Sequence, residues 1–382
     1  MSKYHEKADP DLTDRDAVRK QRLQLMKPTC MRDRIIAVIR GEELDRVPFV
    51  QYDGMFPNQE VWDLVGRDNL GLLRWTYVYQ LVTPHCGGGS EEVQIAGRRG
   101  VRNTLVTPVG TLTEERLYEP TYGTTAAHRH YVTQRADYEV LLAYLRDTVV
   151  TETRDAFLRS REELGEDGLP MVATARTAYQ QLWVQWVSLE DLSLHLVDYP
   201  DLLAEVVGEL NRIELEVFEV IYRVAKDEPL YFVDLPDNIT APTIGERYFR
   251  QCCVPLYQRL ADMMSEVDVK VFAHMDGDLR PLWAAIGESG LQGIDSFSPP
   301  PDNDTSPADA LAQWPYMRLF MNFPSSVHLA PPETIYATTV DLLQQAGSSG
   351  QLQIQISENV PPGVWRTSYP EIIRAIHDFA GG

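Results

Sequence analysis

From residue 230 to the C-terminus, short apolar runs alternate with helical patterns, and each run ends on a polar side chain. Leu230 to Val233 stops at Asp234, Val269 to Ala273 at His274, and Leu291 to Ile294 at Asp295 and Ser296. Met317 to Met321 stops at Asn322, and Gln351 to Ile356 at Ser357 and Glu358. Helical patterns over 245–265, 279–288, 307–313, 332–346 and 370–379 separate or follow them. A helix between successive strands returns the chain to the same edge, so the strands pair in parallel. Two earlier runs, 48–52 and 171–174, bring the strands to at least seven. A (β/α)8 TIM-type barrel is the economical architecture for this rhythm and length. An open doubly wound sheet is the alternative, but the Gly-rich first turn it usually carries is missing after Val50-Gln51-Tyr52.

The N-terminal half is less regular. Residues 1–30 read as an arm, and 31–382 as a single barrel domain. Ile35, Ile36 and Ile39 give 31–40 helical spacing, ended by Gly41. Residues 60–82 are helical in pattern, whereas 83–90, with three glycines, reads as a loop that lacks the Lys-Ser/Thr of a phosphate loop. Strand-type alternation over 91–132, with a hairpin turn at Val109-Gly110, marks a small antiparallel insertion. Helices are expected at 136–147, 152–163, 178–197 and 200–225.

Composition narrows the partners. The formal charge is −21, and no basic stripe is visible, so neither nucleic acid nor an anionic membrane is expected. No apolar run is long enough for a bilayer, and the polar N-terminus does not read as a secretory signal. Cys30, Cys86, Cys252 and Cys253 show no CxxC spacing, which fits reduced thiols and a cytoplasmic location. A small-molecule substrate is the expected partner, and a homodimer is left open.

In a parallel barrel all strand C-termini open onto one face, so Tyr52, Asp53, Asp234, Asp237, His274, Asp276, Asp295, Asn322 and Glu358 should converge there. Helix capping is the better account of Asp295, Ser296 and Asn322. It accounts for neither His274 nor Glu358. Three readings stay open for the His274 cluster. His274, Asp276 and Glu358 suit Zn²⁺ or another divalent ion. Crowded carboxylates beside a histidine suit acid–base chemistry, with His274, Asp234 and Asp53 as the catalytic candidates. A buried, hydrogen-bonded histidine with no chemical role is the third. The substrate-binding candidates are Tyr52, Asp237, Asn322, His85 and Trp183, although an aromatic stripe at Tyr179, Trp183 and Trp186 is more often core. His128 and His130 share a strand face on the insertion and read as a solvated hairpin.

Several segments resemble the uroporphyrinogen decarboxylase superfamily, which also holds zinc-dependent corrinoid methyltransferases. They are Arg32-Asp33-Arg34 through Gly41-Glu42-Glu43-Leu44-Asp45-Arg46-Val47-Pro48, Thr107-Pro108-Val109-Gly110-Thr111-Leu112, Asp198-Tyr199-Pro200, Pro255 within its helix, and the turn His274-Met275-Asp276-Gly277. The resemblance spans roughly 31–380 and implies a TIM-type barrel. The decarboxylase grips its substrate with arginines after the first strand, where this chain has Gln51-Tyr52-Asp53-Gly54-Met55-Phe56-Pro57, and it has a histidine where this chain has Ser357-Glu358-Asn359. The methyltransferase branch holds zinc with His-x-Cys and a later Cys, matched here by His274-x-Asp276 and Glu358. The resemblance thus implies methyl transfer between a small substrate and a corrinoid partner protein or a thiol, with Asp53, Asp234 and Asp237 orienting a neutral or cationic methylated substrate. A metal-free decarboxylase or lyase, or a non-catalytic small-molecule binder, is the alternative.

Overall fold

The computed structural model describes residues 28–55, 59–121, 123–358 and 360–381. The expected N-terminal arm falls, up to residue 27, outside the described residues.

The strands in chain order are β1 Phe49–Tyr52, β2 Gly71–Thr76, β3 Tyr79–Val82, β4 Gly87–Ile95, β5 Arg98–Thr107, β6 Gly110–Glu119 and β7 Thr124–Arg129. They continue as β8 Val149–Glu152, β9 Gly168–Ala173, β10 Phe232–Leu235, β11 Lys270–His274, β12 Gly293–Phe297, β13 Arg318–Asn322 and β14 Leu352–Ile356. Eight of them close a parallel barrel in the order β1-β14-β13-β12-β11-β10-β9-β2, with helices between strands. The (β/α)8 barrel expected from the alternation is the observed fold. Its eighth strand, β2, lies within 60–82, which was expected to be helical. Only Glu60–Val65 is α-helical there. Val61 and Val65 are followed by Leu70, Leu72 and Leu73, so the apolar spacing continues across the change of structure and hides it.

The insertion is also larger than its alternation indicated. β4 to β7 form a four-stranded antiparallel sheet, and β3 pairs antiparallel with β8. Gly87 to Ser90, expected as a loop, lie in β4. A Cβ at Gly88 would stand 2.1 Å from the Thr104 carbonyl oxygen, so the glycines permit close strand approach here rather than a turn.

The lumen has an apolar floor and a polar upper layer. Phe232, Phe272 and Phe320, from three strands, pack with ring centroids 4.8–5.5 Å apart. A Cβ at Gly293 would lie 2.3 Å from the Phe272 ring, so only glycine fits beside that aromatic layer. Met31, Ile35, Val38 and Ile39 of the helix Met31–Arg40 plug the lower end against Val50, Leu73, Leu169 and Met171. Arg34 on that helix is 3 % exposed and pairs with Asp45 at 2.8 Å and Asp68 at 2.7 Å. The 32–48 motif therefore fastens the plug helix to the segments leading into β1 and β2. No helix among the described residues is long and apolar enough to cross a membrane.

Candidate active site

Strand alternation puts residues two apart on one face. In β1, β10, β11 and β13, the residue two beyond Val50, Phe232, Phe272 and Phe320 is Tyr52, Asp234, His274 and Asn322 respectively. The apolar floor is thus followed directly by a polar layer. β14 carries the pattern furthest: Leu352, Ile354 and Ile356 alternate with Gln353 and Gln355, and all five are buried. A fully buried parallel strand is ordinarily apolar on both faces, so the two glutamines mark a lumen in need of hydrogen bonds.

Asp295 is the centre of this layer. It is fully buried, and its register partner across the β11–β12 pair is His274. Its Oδ2 accepts a short hydrogen bond from the Tyr52 hydroxyl and lies 3.3 Å from His274 Nδ1. Its Oδ1 accepts from Gln355 Nε2 at 3.0 Å, and Gln353 Nε2 donates to Gln355 Oε1 at 3.0 Å. The opposite edge of the imidazole, Nε2, faces Asp276 Oδ2 at 3.5 Å. The His274 side chain is 15 % exposed and that of Asp276 34 %, so this edge faces the barrel mouth.

The electrostatics follow from that geometry. Burial works against a charged imidazole, but the hydrogen bonds to Asp276 and Asp295 outweigh it and hold the His274 pKa up at about 10. Burial likewise pushes the Asp276 carboxyl up, and the neighbouring His274 more than reverses this, leaving it below the usual carboxylate range. Burial, and then Asp295, drive the Tyr52 hydroxyl well above its ordinary range, so it remains a donor. Asp234 is fully buried, and neither oxygen has a partner among the described residues. Burial and the nearby Asp295 raise its pKa well above that of an ordinary carboxylic acid.

A second network closes the mouth at β13 and β14. Glu358 accepts from Ser298 at 3.2 Å, from Asn322 at 3.3 Å and, in a short bond, from Ser325. Asn322 Oδ1 accepts from the Ser357 amide at 3.1 Å and hydroxyl at 2.7 Å. Ser296 joins the two networks, reaching Ser357 Oγ at 2.6 Å and the Tyr52 hydroxyl at 3.2 Å. Its φ of 57°, unusual for a non-glycine residue, accompanies a register shift between Ile294 and Phe297.

Several residues are placed differently from expectation. Asp295 and Ser296 are lumen groups rather than helix caps. Asp237 is fully buried and accepts from the Thr177 amide at 2.8 Å, the Thr177 hydroxyl at 3.0 Å and the Tyr257 hydroxyl at 2.6 Å. It braces the loop after β9. Asp53 pairs with Arg74 at 2.7 Å, which also bridges to Glu163 of an outer helix. His85 is exposed and pairs with Asp147 at 2.7 Å. Trp183 is half-buried and donates to Gln180 at 3.0 Å. Gln180 in turn accepts from the Asn238 amide at 3.3 Å, so Trp183 stands beside the loop after β10. Arg176 in the loop after β9 was not singled out by sequence. Its charge reaches Asp234, Asp237 and Asp276, and its Nε is buried without a partner among the described residues.

His274, Asp276 and Glu358 do not form a ligand set. No group of three or more His, Cys, Asp and Glu among the described residues is arranged to hold a metal ion. Both His274 nitrogens face carboxylates, Asp276 on one edge and Asp295 on the other, while Glu358 is held by Ser298, Asn322 and Ser325.

No family model matches the chain, and no curated protein matches it. Among solved structures it is similar to a methyltransferase from Methanosarcina mazei, at 14 % identity and TM-score 0.52 over 92 % of this chain and 99 % of that one. A chitinase from Chromobacterium violaceum matches at 8 % identity and TM-score 0.35, over 85 % of this chain and 99 % of that one. At 14 % identity the likeness to the methyltransferase concerns the fold alone.

Proposed function

We propose that the chain is a methyltransferase-like barrel enzyme acting on a small methylated molecule, with His274 as the proton donor. The observation that carries this reading is the imidazole held between Asp276 and Asp295, with its Nε2 edge at the mouth. A thiolate acceptor attacks the methyl carbon, the bond from that carbon to its heteroatom breaks, and the electron pair stays on the heteroatom. The Nε2 proton of His274 then neutralises the departing group, and Asp276 and Asp295 hold the ring in place for the transfer. A corrinoid on a partner protein is the alternative methyl acceptor. Asp234 and Tyr52 stay protonated on the lumen side and limit the negative charge around Asp295. Support from outside the site is restricted to the shared barrel fold.

Arg176 favours a second reading, a carboxy-lyase. A guanidinium beside the mouth, its Nε without a partner among the described residues, suits a substrate carboxylate. Loss of CO₂ would leave an electron pair on carbon, which takes the same His274 proton.

One experiment separates these readings. The purified chain is incubated with O-, N- and S-methyl compounds and a thiol, and separately with small carboxylic acids, and methylated thiol and CO₂ are measured. The first reading predicts methylated thiol, reduced roughly 10²–10⁴-fold by His274→Asn. CO₂ release with the same His274 dependence would instead establish the lyase. Turnover indifferent to His274→Asn contradicts both, and tight binding without turnover identifies a binder.

A further inference from the structure

A cavity of about 310 Å³ lies on the outer side of β1, between that strand, the 360–363 loop and the first turns of the helix Trp365–Gly381. Its apolar walls are Val360, Pro361, Pro362 and Trp365. Two buried polar side chains also line it. Gln51, 2 % exposed, donates its Nε2 to the Met55 carbonyl at 2.9 Å, and its Oε1 has no partner among the described residues. Tyr369 is fully buried with its ring edge-on to Phe49 at 5.1 Å, and its hydroxyl is likewise unpartnered among the described residues. One cavity therefore presents an acceptor and a donor that lack partners among the described residues, each more than nine-tenths buried.

A buried polar atom left without a partner is costly, and such atoms in folded proteins are normally satisfied by protein, water or ligand. Arg366 at the rim pairs with Glu60 and stacks on Trp365 at 4.2 Å, so among the described residues the lining offers an incoming charge no unengaged counterion. The volume is at the lower end for small-molecule sites. We propose that this cavity is a binding site for an uncharged, flat small molecule carrying an amide or lactam. The ligand N–H would donate to Gln51 Oε1, the Tyr369 hydroxyl would donate to its carbonyl, and its apolar body would lie against Trp365 and the two prolines. The site is separate from the His274 cluster, because Tyr52 takes the opposite face of the same strand.

Benzamide is the probe, tested on the full chain by saturation-transfer NMR and by a crystal soak. The proposal predicts benzamide in the cavity. It also predicts Kd raised about tenfold by Tyr369→Phe, which keeps the ring on Phe49, and similarly by Gln51→Leu. Benzoate should bind at least about tenfold more weakly than benzamide. The proposal is overturned if density shows only water bridging Gln51 and Tyr369 in the presence of millimolar benzamide, if both variants leave Kd unchanged, or if benzoate binds equally well.

Discussion

His274 differs from an ordinary surface histidine because both ring nitrogens meet carboxylates in a largely buried layer. Its pKa is raised from 6.5 to about 10, so its contribution to stability is fully present below about pH 6.5 and is lost as pH rises toward 10. Asp295→Asn removes the buried partner and should bring the His274 pKa down toward its ordinary value, with the basic limb of the pH–rate profile moving in the same direction. An unmoved basic limb would show that another group supplies the proton. The sequence marked His274 and Asp234 correctly as strand-end polar groups, because alternation fixes which residues enter the lumen. It assigned Asp295 to capping, since an aspartate at a strand end serves either purpose equally well. The missed evidence was in β14, where Gln353 and Gln355 interrupt a strand that burial should have made apolar.

At the scale of elements, the plug helix and β1 are joined by Arg34, whose buried guanidinium takes Asp45 and Asp68. Burial acts to raise both carboxyls, and the hydrogen bonds from Arg34 more than reverse it, so both titrate below the ordinary range. This contribution is therefore present at neutral pH and fades in acid. Arg34→Ala should cost roughly 2–3 kcal/mol in chemical denaturation, under the range for fully buried pairs because Asp68 is half-exposed. A loss below about 0.5 kcal/mol, as at an ordinary surface site, would mean that the motif does not anchor the plug. The element hardest to see in the sequence was β2. Its apolar residues continue the spacing of the short helix before it, and periodicity cannot locate a boundary that leaves the period unbroken. The glycines of β4 were missed for a related reason, since a glycine run signals a loop and close strand packing alike.

At the scale of the whole molecule, strand–helix alternation was enough to give the barrel and its functional face, because parallel strands must all finish on one rim. It did not give the contacts on that rim, which depend on side-chain directions around eight strands at once. Glu358 reaches the mouth as expected yet is held by hydroxyls and an amide instead of joining His274. Dialysis against a chelator should accordingly leave both the melting temperature and any turnover unchanged. A fall in either that zinc restores would reinstate the ligand trio of His274, Asp276 and Glu358. Whether the barrel mouth stores a proton on His274 is read from nitrogen-15 NMR of the histidine side chains through a pH titration. With His274→Asn to assign the resonance, the expected result is a ring protonated on both nitrogens at pH 8 that titrates near 10; a midpoint near 6.5 would contradict a proton held there.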